Sequence, residues 1–209
     1  MWLEQAPPRP RQTRRSAPSR PANTVRRLAK GEATRRRILD AAMRVVAEEG
    51  YHAATHQRIA EASGLVRTAI NYHYPEPDRL SEALVLHLYR LRAERVATMF
   101  GAPEVNDGGS SIIEAYWRLL RETPFVAIAE LECCARTDRA LRARLAAARR
   151  SSVRDGDQAS ADSGLSLDRL SVYVLEGLAR GLGHQDGAFL ERRVLGMLKR
   201  VIEEGGERS

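Results

Sequence analysis

The stretch from about Ala33 to Leu84 patterns as three short helices with a helix-turn-helix at its centre, and it closes on Ile70-Asn71-Tyr72-His73-Tyr74. The first helix is expected over Arg35–Glu49, where Ile38, Leu39, Ala41, Ala42, Val45 and Val46 recur at helical spacing as a wide apolar face. Gly50 follows where a left-handed C-cap would sit. Thr55 caps a second helix that turns Ile59, Ala60 and Ala62 inward. It stops at Ser63-Gly64, because glycine permits the sharp turn a bihelical DNA reader needs. A third helix begins near Val66. Ile70 and Tyr74, four apart, take its packing face and leave Arg67, Thr68, Asn71, Tyr72 and His73 to point outward. Double-stranded DNA is therefore the first candidate partner.

Four groups carry a resemblance: Ile38-Leu39-x-Ala41-Ala42, Gly50-Tyr51, Thr55-x-x-x-Ile59-Ala60-x-x-Ser63-Gly64 and Ile70-Asn71-Tyr72-His73-Tyr74. In order and spacing this set resembles the DNA-binding domain of the tetracycline-repressor (TetR) family over about fifty residues without a gap. The resemblance implies an all-α chain with an N-terminal helix-turn-helix reader and a helical ligand-binding and dimerisation domain. It also implies that the third helix faces a DNA groove, with Thr55, His56 and Gln57 near phosphate and Arg67, Thr68, Asn71, Tyr72 and His73 toward the bases. Two positions depart from the family pattern: Asn71 stands where Tyr is common, and Glu76-Pro77 where Ser-Lys usually opens the fourth helix.

The charge is unevenly placed. Residues 1–30 hold eight basic side chains against Glu4 alone, which accounts for the whole net charge of +7. Residues 31–80 balance seven arginines against seven acids, so the basic balance reports the arm and says nothing about the folded body. With Pro7, Pro8, Pro10, Pro18 and Pro21 and no periodic apolar face, residues 1–30 are expected to be a disordered basic arm. The arm reads either as a DNA-tracking tail or as a solvated tail, or as a start drawn too early with the true one near Val25. It lacks the apolar core of a signal peptide, and no stretch of the sequence has the length of a membrane span.

Beyond the reader the pattern stays helical to the end. A fourth helix is expected from about Pro77 to Met99, stopped by Gly101-Ala102-Pro103. A fifth spans Ile112–Arg121 and a sixth Phe125–Ala135, with Thr123 as N-cap, Pro124 at the first helical position and an all-round apolar run, Phe125 to Ala129, at the buried centre. A seventh runs from Asp138 to about Val153 with Leu141 and Leu145 inside, followed by a flexible link over Ser151–Ser166. The last two helices, about Leu167–Gly181 and Gly187–Glu204, carry apolar stripes that suit either core or a partner. The family resemblance implies that they pair with a second copy as a four-helix bundle, giving a homodimer.

The segment from Glu130 to Asp138 with Leu141-Arg142 also resembles a pattern of ligand domains in that family. A pocket among helices four to eight is expected to be lined by His87, Trp117, Phe125, Ile128, Cys133 and Tyr173, which suits an apolar or aromatic small molecule. Cys133 and Cys134 are neighbours, poorly placed for a mutual disulfide, and read as buried free thiols in a reducing cytoplasm. No histidine has metal-ligand spacing with them. The sequence holds no phosphate-binding loop, nucleophile elbow or His-Glu-x-x-His helix, so neither a cofactor nor a catalytic residue is expected. The domains follow as arm (1–30), reader (31–80) and ligand-binding and dimerisation domain (81–209). The resulting expectation is a repressor that a small molecule releases from a palindromic operator. The alternative is a helical enzyme or protein-interaction module that does not bind DNA specifically.

Overall fold

The computed structural model describes residues 20–102, 109–150, 176–177, 196–197 and 200. All regular structure among them is helical: α1 (Arg20–Glu49), a 3-10 turn (Tyr51–Ala53), α2 (His56–Ser63), α3 (Arg67–His73), α4 (Pro77–Phe100), α5 (Gly109–Leu120), α6 (Thr123–Cys134) and α7 (139–150). The expected helices beyond residue 150 lie outside the described residues apart from the few helical positions named above. The chain divides into two compact units at Thr34.

In the first unit, the described backbone is the opening half of α1. The arm expected to be unstructured is helical from Arg20, fifteen residues before the expected start at Arg35. Pro21 lies in the first turn, where a missing N–H costs nothing, and from Ala22 to Lys30 no proline intervenes while Arg, Leu, Ala and Lys favour helix. Local propensity extends this helix, for Val25 and Leu28 stay exposed.

In the second unit, one apolar cluster runs through the reader and onward. Ile38, Ala41, Ala42 and Val46 of α1 meet Ile59 and Ala60 of α2 and Ile70 of α3. The same cluster continues through Leu80, Leu84 and Leu88 of α4 to Ala127, Ile128 and Leu131 of α6 and Leu141, Leu145 and Ala148 of α7. A helix of seven residues such as α3 has no stability of its own, so this burial is what keeps it folded. A second cluster joins Met99 and Phe100 at the end of α4 to Ile113, Tyr116 and Trp117 of α5 and Phe125 of α6.

Several local expectations are corrected by the backbone. Gly50 has φ 91° and ψ 164°, an extended conformation of positive φ that only glycine adopts readily, and not the left-handed cap. The N-cap of α6 is Glu122, which puts Thr123 and Pro124 at its first two positions, and Thr123 makes no cap. Val126 is exposed, so the run from Phe125 to Ala129 is not buried all round. Asp138 instead caps α7, its Oδ1 accepting the Leu141 N–H at 2.9 Å.

Candidate nucleic-acid interface

The turn between α2 and α3 is fixed from both sides. Thr55 Oγ1 accepts the Arg58 N–H at 3.2 Å and caps α2, as its sequence position predicts. At the other end Gly64 is left-handed (φ 63°, ψ 28°), its N–H turned back onto the carbonyls of Ala60 and Glu61. Two arginines of α1 satisfy further carbonyls of that terminus: Arg37 Nε donates to Ser63 O at 2.7 Å and Arg44 Nη2 to Ala62 O at 3.3 Å. Arg58 forks onto the Glu49 carboxylate at 2.6 to 3.0 Å, and that hydrogen-bonded pairing holds the Glu49 carboxyl below its ordinary range. Arg37, Arg44 and Arg58 are thus spent on the scaffold. Of these, Arg58 has its charge met by the Glu49 carboxylate, whereas the carbonyls that hold Arg37 and Arg44 leave theirs in place.

On this frame α3 shows its outer face. Ile70 is fully buried and Tyr74, just past the helix, is 8% exposed, so the two expected packing residues are the ones that pack. Arg67, Thr68, Asn71 and Tyr72 are exposed, Tyr72 at 83%, while His73 is half-buried with its ring edge against Tyr72. Thr55 and Gln57 are exposed at the start of α2, and Gln57 Nε2 donates to Glu61 Oε1 at 2.8 Å. One bond joins the two groups: His56 Nδ1 lies 2.9 Å from Asn71 Oδ1. The amide oxygen needs a donor, so Nδ1 carries the proton of this bond, and Nε2 of His56 is buried with no hydrogen-bond partner among the described residues. Sequence reasoning did not find that bond, nor Val66, whose side chain is 69% exposed immediately before α3. The only signal for Val66 was its place at the N-cap of the outward-facing helix.

α4 begins next to this surface with Glu76 as N-cap, making no side-chain capping bond, and Pro77 at the first position. Asp78 and Ser81 in its opening turns are held by Arg144 of α7, at 3.0 and 3.4 Å, and Ser81 also bonds the Tyr51 hydroxyl at 3.1 Å.

The residues expected around an effector lie at several places in the fold. His87 is buried as a strut between α4 and α1, its Nε2 on Asp40 Oδ1 at 2.8 Å. Trp117 and Phe125 belong to the second cluster and Ile128 to the first. Cys133 is exposed and Cys134 half-buried, which corrects the expectation of two buried thiols; Tyr173 lies outside the described residues. Burial and the nearby Glu130 carboxylate, on which the Cys134 thiol donates, push that thiol's pKa up. Of the expected residues that are described, none lines the cavity of about 290 Å³ formed by Tyr89 of α4, Glu132 of α6, Arg136, and Arg142, Leu145 and Arg149 of α7. Beside it Arg92 bonds Glu176 at 2.6 Å, Tyr116 donates to the same carboxylate at 3.0 Å, and Arg149 bridges Glu176 and Glu132. The interior here is polar and paired, because the helical spacing that marks core residues says nothing about which charges meet across helices.

Residues 38–84 match the family model of bacterial regulatory proteins, tetR family. A putative TetR-family transcriptional regulator from Rhodococcus sp. superposes with a TM-score of 0.57 at 21% identity, over 81% of this chain and 98% of that one. The fatty acid degradation regulator FadR from Bacillus halodurans gives 0.58 at 16%, over 80% and 93%. The multidrug binding protein EbrR complexed with imidazole gives 0.51 at 22%, over 79% and 93%. At such identities these structures establish the fold alone, an all-helical one with an N-terminal helix-turn-helix. The curated proteins contain no significant match. Among the described residues no helix is long and apolar enough to cross a membrane.

Proposed function

We propose, for a chain whose residues 38–84 belong to the tetR family of bacterial regulatory proteins, a homodimeric repressor that leaves a palindromic operator when a small molecule binds its helical C-terminal part. The observation that carries the reading is the outer face of α3: Arg67, Thr68, Asn71 and Tyr72 stand exposed on a helix whose inner side Ile70 locks into the core. An exposed face of arginine, amide and aromatic groups on a short, rigidly held helix suits the major groove, where each base pair shows a distinct donor and acceptor pattern. Val66 adds a surface for a thymine methyl. Thr55 keeps its hydroxyl proton for phosphate while its oxygen caps α2, and Gln57 exchanges Glu61 for phosphate on docking.

Release follows from the shared core. α4 is covalently continuous with the reader, and its Leu80, Leu84 and Leu88 lie in the same apolar cluster as α6 and α7. An effector that shifts α6 and α7 therefore moves the base of α4, directly through packing and through the Arg144 bonds to Asp78 and Ser81. In a dimer held by the last two helices, that motion changes the separation of the two recognition helices so that both no longer dock at once. That EbrR, a protein of similar fold, holds imidazole supports a small-molecule site in this architecture. The direct test is a mobility-shift assay with a DNA fragment carrying the region upstream of the protein's own gene. A saturable shift that competing random DNA does not abolish supports the reading, and a shift that random DNA removes overturns it.

A further inference from the structure

The cavity between α4, α6 and α7 has a chemistry that the apolar reading of the effector did not anticipate. Among the described residues three arginines, Arg136, Arg142 and Arg149, line it with one carboxylate, that of Glu132; Arg149 lies 3.4 Å from Glu132 and 3.7 Å from Glu176 beside the cavity. Arg142 donates to the backbone carbonyls of Ala135 and Arg136, which fixes its guanidinium without neutralising its charge. With Arg149 shared between two carboxylates, Arg136 and Arg142 keep their charge unmatched by a carboxylate among the described residues, so the cavity favours an anion. The remaining wall is apolar, from Leu145 and the Tyr89 ring.

Tyr89 supplies the independent sign of a ligand. Tyr89 lines the cavity while the residue is 4% exposed, and its hydroxyl is buried with no hydrogen-bond partner among the described residues. Buried tyrosine hydroxyls are ordinarily satisfied, since an unmade bond there forfeits the water it gave up. Burial also pushes the phenol's pKa up to about 12, so at neutral pH the hydroxyl keeps its proton and is available as a donor.

We propose that this cavity binds a small organic monocarboxylate, whose carboxylate accepts the Tyr89 hydroxyl proton among Arg136, Arg142 and Arg149 and whose apolar body lies on Leu145 and the Tyr89 ring. At about 290 Å³ the space suits a single aromatic ring or a short alkyl chain, at the lower end of small-molecule pockets. The proposal rests on the reading of the helical C-terminal part as the effector domain, and it names the class of effector.

Calorimetric titration of the full chain without DNA tests the site, with sodium benzoate and sodium hexanoate as probes and benzamide and hexanamide as their neutral counterparts. At least one carboxylate is expected to bind once per chain, about tenfold or more tighter than its amide. Tyr89→Phe is expected to weaken it about tenfold or more, as loss of a hydrogen bond to a charged group does. Arg136→Gln, at an exposed position, is expected to weaken it severalfold. The unliganded Tyr89→Phe protein should unfold at the same temperature as the parent or higher, because it loses an unpaired hydroxyl, whereas a purely structural Tyr89 would show a lower midpoint. Failure of both carboxylates to bind at millimolar concentration, equal binding of acid and amide, or undiminished binding by Tyr89→Phe each overturns the proposal. The mobility-shift assay repeated with the bound acid then judges the regulator reading separately: binding that leaves DNA affinity unchanged retains the site and refutes its part in release.

Discussion

The bond between His56 and Asn71 gives the candidate interface a testable internal logic. Asn71 Oδ1 has two lone pairs; one takes the His56 Nδ1 proton at 2.9 Å, and the other remains for an adenine N6–H while Nδ2 donates to N7. His56 thus sets the orientation of the amide before DNA arrives. A bidentate Asn–adenine contact is worth about 1–3 kcal/mol of discrimination, so Asn71→Ala should cost roughly 5- to 150-fold in specific affinity per half-site. His56→Ala removes the orienting bond, worth about 0.5–1.5 kcal/mol, and should cost about 2- to 12-fold. Once Asn71 is alanine, His56 has nothing to orient, so the double variant should bind like Asn71→Ala alone, with a coupling energy equal to the whole His56 effect. Fluorescence anisotropy at fixed salt, on a duplex selected for the parent protein and on a random duplex, measures all four corners of the cycle. Additive losses, or losses of the same size on random DNA, would show that His56 meets DNA on its own account and would refute the orienting role.

Three further outcomes follow from the same geometry. Ile70→Ala, at a fully buried position on the seven-residue α3, should destabilise by about 2–5 kcal/mol in chemical denaturation and abolish specific DNA binding; a loss under 1 kcal/mol would show that α3 is held by something else. Pro77→Lys supplies an ammonium at the exposed start of α4 in place of a residue with neither charge nor N–H, and should steepen the salt dependence of DNA binding by about one unit of slope per subunit, unless no phosphate lies there. Deleting residues 1–24, which removes Arg9, Arg11, Arg14, Arg15 and Arg20, should weaken binding to specific and random DNA alike by about three units of salt slope per subunit; superimposable titrations would make the arm a passive tail.

The reader was legible in the sequence because its signals are local. Ile38, Ala41, Ala42, Val45, Val46, Ile59 and Ile70 mark buried faces by helical spacing, and Thr55 and Gly64 mark the ends of α2 by chemistry that needs no tertiary knowledge. Outward direction on α3 followed from the same periodicity. What could not be read were meetings between distant residues. The His87 ring bonds Asp40, 47 positions away, and the Arg92–Glu176 pair joins residues 84 apart. Phe125 and Trp117 are as apolar as a pocket wall should be, and they lie together in the second apolar cluster, a meeting that helical spacing alone does not reveal. The start of α1 was missed for the opposite reason. Prolines up to Pro21 suggested an unstructured arm, whereas the residues after it form helix on propensity alone.

The central claim is that the outer face of α3 reads a specific, two-fold-symmetric DNA sequence. Its most direct test is selection from a random-sequence duplex pool by the full chain, alongside a variant carrying Arg67→Ala and Tyr72→Ala at two exposed positions. The account predicts that the parent enriches one palindromic motif, its half-sites about one helical turn or a multiple of it apart, and that the variant enriches none while keeping the parent's thermal stability. Enrichment of the same motif by both proteins, or of no motif by the parent at any salt concentration, would contradict it.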